Sequence, residues 1–296
     1  MEHNKRLKRW HFIREPLYSQ WRRARWRWPL LLLTVLSCLY AVPQIRRLVQ
    51  APVPSTSQAV SALQDTAIQA KGQQALDSWK KGGPEDFKQA YALFEELASA
   101  DEPHAQFMLG LMHMEGQFVP KSDAVAAVWF RRAAEQGYSD AQFNLAQILQ
   151  DGDGVSPDDT QAAKWFGEAA KKGHKTAAYN LGLMYYWGRG VEKNDAEAAR
   201  YYQQAVDGGH IGAHHNLGLL YKNGEGVPVN YERAISLFQV AADARHASSQ
   251  TTLGYMYAKG LGVAKDQNKS IFWLRKAADL GDPIALQILM KLDGKQ

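Results

Sequence analysis

Histidine is the residue type in this chain whose spacing most invites chemistry. Of nine histidines, His174, His210 and His246 recur every 36 residues, and His210, His214 and His215 crowd together. Such an array raises the question of a bound metal, because zinc takes histidine nitrogens at ~2.1 Å. Residues at one position of successive repeats stand roughly a helix-packing distance apart, ~8–10 Å, so the ladder is too wide to share one ion. The local cluster has no obvious carboxylate or thiolate to complete a ligand set. Asp151 to Asp159 has the look of a calcium loop, but Val155 and Ala162 occupy its fifth and twelfth positions, where oxygen ligands are needed. The GxG pairs follow no strand and precede no lysine, which argues against a phosphate cradle. No Ser/His/Asp or Cys/His set assembles, and paired carboxylates occur only in loops. The residues therefore predict no catalytic centre, no metal and no cofactor, and a chain that is not an enzyme.

The same period runs through the elements that would hold these side chains. Ala105, Ala141, Ala177, Ala213, Ser249 and Ala285 form one ladder, Gly116, Gly152, Gly188, Gly224 and Gly260 a second. Trp129, Trp165, Tyr201, Leu237 and Trp273 form a third. A fixed period of this length means stacked supersecondary units, each unable to bury its apolar face without a neighbour. Within the unit that starts at Ala177, the residues Ala177, Leu181, Gly182 and Tyr185 make a helical stripe. A glycine inside a helix costs about 1 kcal/mol relative to alanine. Gly110, Gly182, Gly218 and Gly254, with Ala146 in the second unit, thus predict a closely approaching partner helix. Gly188 to Val191 turns the chain, and Asn194 with Glu197 reads as a capping box for a second helix. That helix buries Ala198, Ala199, Tyr201, Tyr202, Ala205 and Val206, and Gly209, like Gly137, Gly173 and Gly281, closes it in a left-handed conformation. The aromatic column, with Phe130, Phe166, Tyr202 and Phe238 beside it, reads as core. Each unit is a helical hairpin, and the fold class is all-α.

The stretches AQFNLAQILQDGDGVSP, AHHNLGLLYKNGEGVPV and SQTTLGYMYAKGLGVAK resemble the Sel-one-like repeat, a relative of the tetratricopeptide repeat. The resemblance spans 104–296 as five repeats and a C-terminal half-repeat, whose Lys291, Asp293 and Lys295 suit a solvent-facing cap. A degenerate hairpin precedes it at 72–103, with Ala75, Leu76 and Trp79 facing Phe87, Tyr91, Phe94 and Leu97. The family likeness implies a right-handed α-solenoid whose first helices line a concave groove, and a role as an adaptor in envelope assembly or polysaccharide export. Phe107, Phe143, Tyr179 and His215 at repeat position 3 are candidates for that groove, as are Asn144, Asn180 and Asn216 at position 4. Gln147, Tyr186 and Lys222 lie further along the same helices. Aromatic rings and amides there suit an extended peptide or the edge of a protein partner. An alternative is an immunity protein that masks a secreted toxin such as a type VI lipase. Neither reading calls for nucleic acid or a small-molecule substrate.

The formal charge of +5 is unevenly placed. Nine of the basic residues, from Lys5 to Arg27, fall in the first 28 positions against Glu2 and Glu15, so the remainder is slightly acidic. The uncharged run from Trp28 to Ile45 would span about 27 Å as a helix, close to the ~30 Å of bilayer hydrocarbon. Trp26 and Trp28 suit an interfacial belt, and Arg46 and Arg47 close the far end. The basic excess before this segment predicts a cytoplasmic leader (1–27), a single transmembrane helix (28–45), a linker (46–71) and an exported solenoid. In a Gram-negative cell that compartment is the periplasm. Two alternatives compete: a cleaved signal segment, and a lipoprotein acylated at Cys38, the chain's one cysteine.

Overall fold

The computed structural model describes residues 56–293, with side-chain surroundings from 65 to 292. The basic leader, the apolar segment 28–45 with Cys38, and the start of the linker lie outside the described residues. Among the described residues there is no strand, and no helix is long and apolar enough to cross a membrane. Contacts divide the chain into residues 1–61 and 62–296, and the repeats belong to the second unit.

After α1 (Thr56–Lys81) and α2 (Pro84–Ser99), the chain alternates first and second helices of 13 residues. The first helices are α3 (Pro103–Glu115), α5 (Ser139–Asp151), α7 (Lys175–Trp187), α9 (Ile211–Asn223) and α11 (Ala247–Lys259). The second helices are α4 (Asp123–Glu135), α6 (Asp159–Lys171), α8 (Asp195–Asp207), α10 (Tyr231–Asp243) and α12 (Gln267–Asp279). A lone first helix, α13 (Pro283–Asp293), ends the stack.

Local chemistry sets these lengths. Ser122, Asp158, Asn194, Asn230 and Asp266 start the second helices, and each side chain accepts a backbone N–H two or three residues on. Asn194 makes only half of the expected box, because Glu197 turns away to Arg200 at 2.7 Å. The first helices stop where the glycine ladder places a left-handed residue, with φ between 66° and 77°. Gln106, Gln142 and Gln250 reach back to the carbonyls of Ala98, Ala134 and Ala242, satisfying acceptors left open at the preceding helix end.

The helical glycines have the packing reason their sequence pattern implies. A Cβ at Gly182 would sit 2.7 Å from the Tyr202 ring, and one at Gly110 2.5 Å from Phe130. Phe130, Phe166, Tyr202 and Phe238 are fully buried between their hairpins. Gly190 locks one hairpin to the previous one. With φ at 67°, its position for a Cβ lies 2.1 Å from the Asp159 carbonyl oxygen, where α6 begins. Arg189 seals the same junction by pairing with the Asp159 carboxylate at 3.0 Å.

Three features add to what the sequence implies. Within the linker assigned to 46–71, where 58–71 could add a short helix, residues 56–71 are helical and continuous with the first helix of the degenerate hairpin, since no proline or paired glycine interrupts 58–81. That hairpin otherwise packs as anticipated, with Ala75, Phe94 and Leu97 buried and Leu76, Trp79, Phe87 and Tyr91 against them. The terminal half-repeat exposes Lys291 and, on the same helix, Ile284, Leu286 and Met290, Met290 at 70 %. Leu286 and Met290 occupy the positions that second helices cover in the other repeats, and among the described residues no such helix follows α13. Finally, the left-handed position filled by Gly137, Gly173, Gly209 and Gly281 is held by Arg245 at φ 64° in the fourth repeat.

A histidine-capped seam and a variable first-helix face

Each first helix has a seam side, turned toward second helices and the next repeat, and an outer side. On the seam, position 3 meets the residue that precedes the next first helix. Phe107 lies 5.0 Å from the Tyr138 ring and 5.7 Å from Phe130. Phe143 stacks on His174 at 4.5 Å, Tyr179 on His210 at 4.3 Å, and His215 meets His246 at 4.8 Å. Phe107 and Phe143 are each only 9 % exposed, so their rings present little surface to a partner. These four groove candidates are brought together as one column inside the stack.

The histidine ladder has a role its spacing did not disclose. The Nδ1 atoms of His174, His210 and His246 accept the backbone N–H of Ala177, Ala213 and Ser249 at 3.0, 3.2 and 3.3 Å. Each imidazole is thus the N-cap of a first helix, and Nδ1 can accept only when it carries no proton. Burial pushes the pKa of all three below the ordinary histidine value, and that of His210 to about 4, helped by nearby Lys175 and His214. Asp140, 3.7 Å from His174 Nε2, pulls weakly the other way. His215 is also pushed down to about 4, by burial and then by His246 and Lys222. Ser249 Oγ bridges the last pair at 2.9 and 3.0 Å. His215 Nδ1–H donates to the hydroxyl, and the hydroxyl donates to His246 Nδ1. His214 instead bonds the His210 carbonyl at 3.0 Å. At the two ends of the series carboxylates do this capping, Glu102 toward Ala105 and Asp282 toward Ala285. No group of three or more potential ligands among the described residues could hold a metal ion.

The remaining candidates lie beside this column or further along the first helices. Asn144, Asn180 and Asn216 occupy neighbouring first helices and are half-buried. Asn144 donates to the Asp140 carbonyl at 2.9 Å, and Asn216 to the Tyr179 hydroxyl at 3.4 Å. Gln147 and Lys222 are half-buried, and Lys222 stands close enough to His215 to act on its charge. Tyr186 donates its hydroxyl to Glu225 at 3.1 Å and lies 5.7 Å beneath the Lys193 ammonium.

Trp187 was not among the sequence candidates, yet it is 67 % exposed and stands edge-on to Tyr186 at 4.9 Å. Its counterparts are Glu115, Asp151, Asn223 and Lys259, polar in every other full repeat. The signal was present as the one rung at that position where the side chain becomes aromatic. Leu183, one turn earlier, and Asn180 continue its row along α7.

A Sel1 repeat model matches residues 80–102, 103–138, 139–174, 175–210, 211–246 and 247–282. A Sel1 repeat protein from Oxalobacter formigenes aligns with 74% of this chain and 86% of its own, at 29% identity and a TM-score of 0.66. A protective antigen of uropathogenic Escherichia coli with an SLR fold aligns at 33% identity and a TM-score of 0.71, over 76% of this chain. The present chain spans only 48% of that antigen. A Pseudomonas aeruginosa immunity protein aligns at 17% identity with a TM-score of 0.39, over 74% of this chain and 84% of its own, a likeness too low to bear on function. No curated protein matches the sequence.

Proposed function

Because this chain belongs to the Sel1 repeat family, whose repeats mediate protein–protein interaction, we propose that it is a non-enzymatic scaffold holding a partner protein on its first-helix face. One observation carries this reading. The seam is buried and keeps the same packing from repeat to repeat, whereas the last position of the first helices differs at every rung and exposes Trp187, a residue type enriched where interfaces concentrate their energy. Positions that stack the repeats cannot also specify a partner. The basic leader and the apolar segment 28–45 support tethering to the inner membrane with the repeats in the periplasm.

A photo-crosslinking residue placed at Trp187 in the full chain, in its own cells, tests the surface. A discrete partner should be captured there and not from Val128 on the second-helix side, which is 54 % exposed. Capture from Val128 alone would overturn the assignment. A stoichiometric secreted toxin as the captured protein would move the role to immunity. An alkaline phosphatase fused after Gln296 should be active, and an inactive fusion would overturn the topology.

A further inference from the structure

The outer face is ordered by charge as well as variable. At the last position of the first helices the chain places Glu115, Asp151, Trp187, Asn223 and Lys259, with Tyr186 and Lys222 one residue earlier in their helices. Acid stands at one end, the exposed indole at the centre, and base at the other end. Glu115, Asp151, Trp187 and Lys259 are exposed and Lys222 is half-buried. None of Asp151, Lys222 and Lys259 has an ion-pair partner among the described residues. Of the charges in the adjoining turns, Arg189 pairs with Asp159 and Lys193 with Asp195, Glu225 accepts from the neutral Tyr186 and Asn223, and Asp153 and Glu192 are exposed. The first helices are true neighbours, joined by Asn216 to Tyr179 and by His215 to Ser249.

Resting on the interaction reading above, we infer that this row binds an extended peptide segment carrying a basic block, an apolar anchor and an acidic block in that order along the groove. The apolar anchor packs on Trp187 and Leu183, the basic block meets Asp151 and Glu115, and the acidic block meets Lys222 and Lys259. At a helix-packing distance of ~8–10 Å for each of the four steps, the row spans about 32–40 Å. An extended chain advances ~3.3 Å per residue, which makes the segment roughly 11 residues long with its blocks about five residues apart. The indole supplies the anchor because a rigid aromatic surface loses little conformational entropy when covered. The two charged ends supply orientation and rejection of wrong partners more than affinity.

Labelled 11-residue peptides titrated into the full chain and followed by anisotropy test this. The bipolar probe carries Lys-Lys, Leu-Phe and Glu-Glu blocks separated by Gly/Ser spacers. Two homopolar probes carry Lys-Lys or Glu-Glu at both ends. The bipolar probe should bind at least tenfold more tightly than either homopolar probe, with the margin shrinking at high salt. Trp187→Ala should weaken it about 30-fold or more. Asp151→Lys should shift preference toward the acidic homopolar probe, and a Lys222→Glu, Lys259→Glu double variant toward the basic one. Equal binding of all three probes, all lost in Trp187→Ala, would overturn the charge order and leave the first-helix reading standing. Absence of binding by any probe would overturn the peptide assignment. Binding untouched by Trp187→Ala would overturn the anchor, and crosslinking from Trp187 then decides the broader reading separately.

Discussion

At position 6 of the repeats the first helices carry Gly110, Ala146, Gly182, Gly218 and Gly254. The four glycines lie beneath Phe130, Tyr202, Phe238 and Leu274 of the second helices. Five residues further along the same helices, Glu115, Asp151, Trp187, Asn223 and Lys259 share a position and little else. The first set is steric: each site must be small because a ring, or at Gly254 the Leu274 side chain, occupies the space, so every full repeat arrives at the same solution. The second set faces outward, where stacking imposes nothing, and there the repeats have diverged. Stability in such an array is close to a sum of repeat and neighbour terms, so changes on the two sides should separate cleanly.

The sharpest way to break this contrast is at the junction between hairpins. Gly190→Ala adds a Cβ on a left-handed residue against the Asp159 carbonyl oxygen, and should cost about 3 kcal/mol or more in denaturant unfolding. A milder seam change, Gly182→Val, pushes into the Tyr202 ring and should cost about 1–3 kcal/mol by the same measurement. If either is tolerated as well as an outer substitution, the division of the helix into two sides fails.

Acid should also act on the seam alone. His174, His210, His215 and His246 have folded pKa values below the ordinary 6.5, two of them about 4. Groups depressed in this way contribute stability that is fully present above the unfolded value. It is lost as pH falls from about 6.5 toward about 4, where the unfolded state binds more protons. The melting temperature should therefore drop by several degrees between pH 7 and pH 5. His210→Asn, which keeps a capping acceptor without a titrating group, should shrink that drop. A melting temperature independent of pH over this range would remove the histidines from the account of the seam.

Smaller effects sharpen the comparison further. Arg245→Gly relieves a left-handed non-glycine residue and should stabilise the chain by about 1 kcal/mol. Trp187→Ala should change unfolding free energy by no more than about 0.5 kcal/mol while removing partner capture. That combination is the signature of an outer position.

Much of the stack was legible in the residues. The helical glycines implied close approach because nothing else justifies their cost, and the glycine ladder marked helix ends because few other residues accept a positive φ. The candidate site was less legible. Phe143 and Tyr179 have the residue types of a binding groove, and only the packed repeats show the following imidazoles stacked on them. The histidines repeat as plainly as the glycines, but a capping role depends on where Nδ1 points, which spacing does not encode. Trp187 stands out as a departure from the pattern, and its exposure depends on what the neighbouring helices leave uncovered.

The sequence by itself determined the repeat, the hairpin and the spacing of the small residues, because these follow from local periodicity and backbone sterics. The tertiary structure decided which side of each first helix is spent on stacking and which is left exposed. That choice depends on contacts between residues about 20 to 40 positions apart, such as Gly182 with Tyr202 and Tyr179 with Asn216.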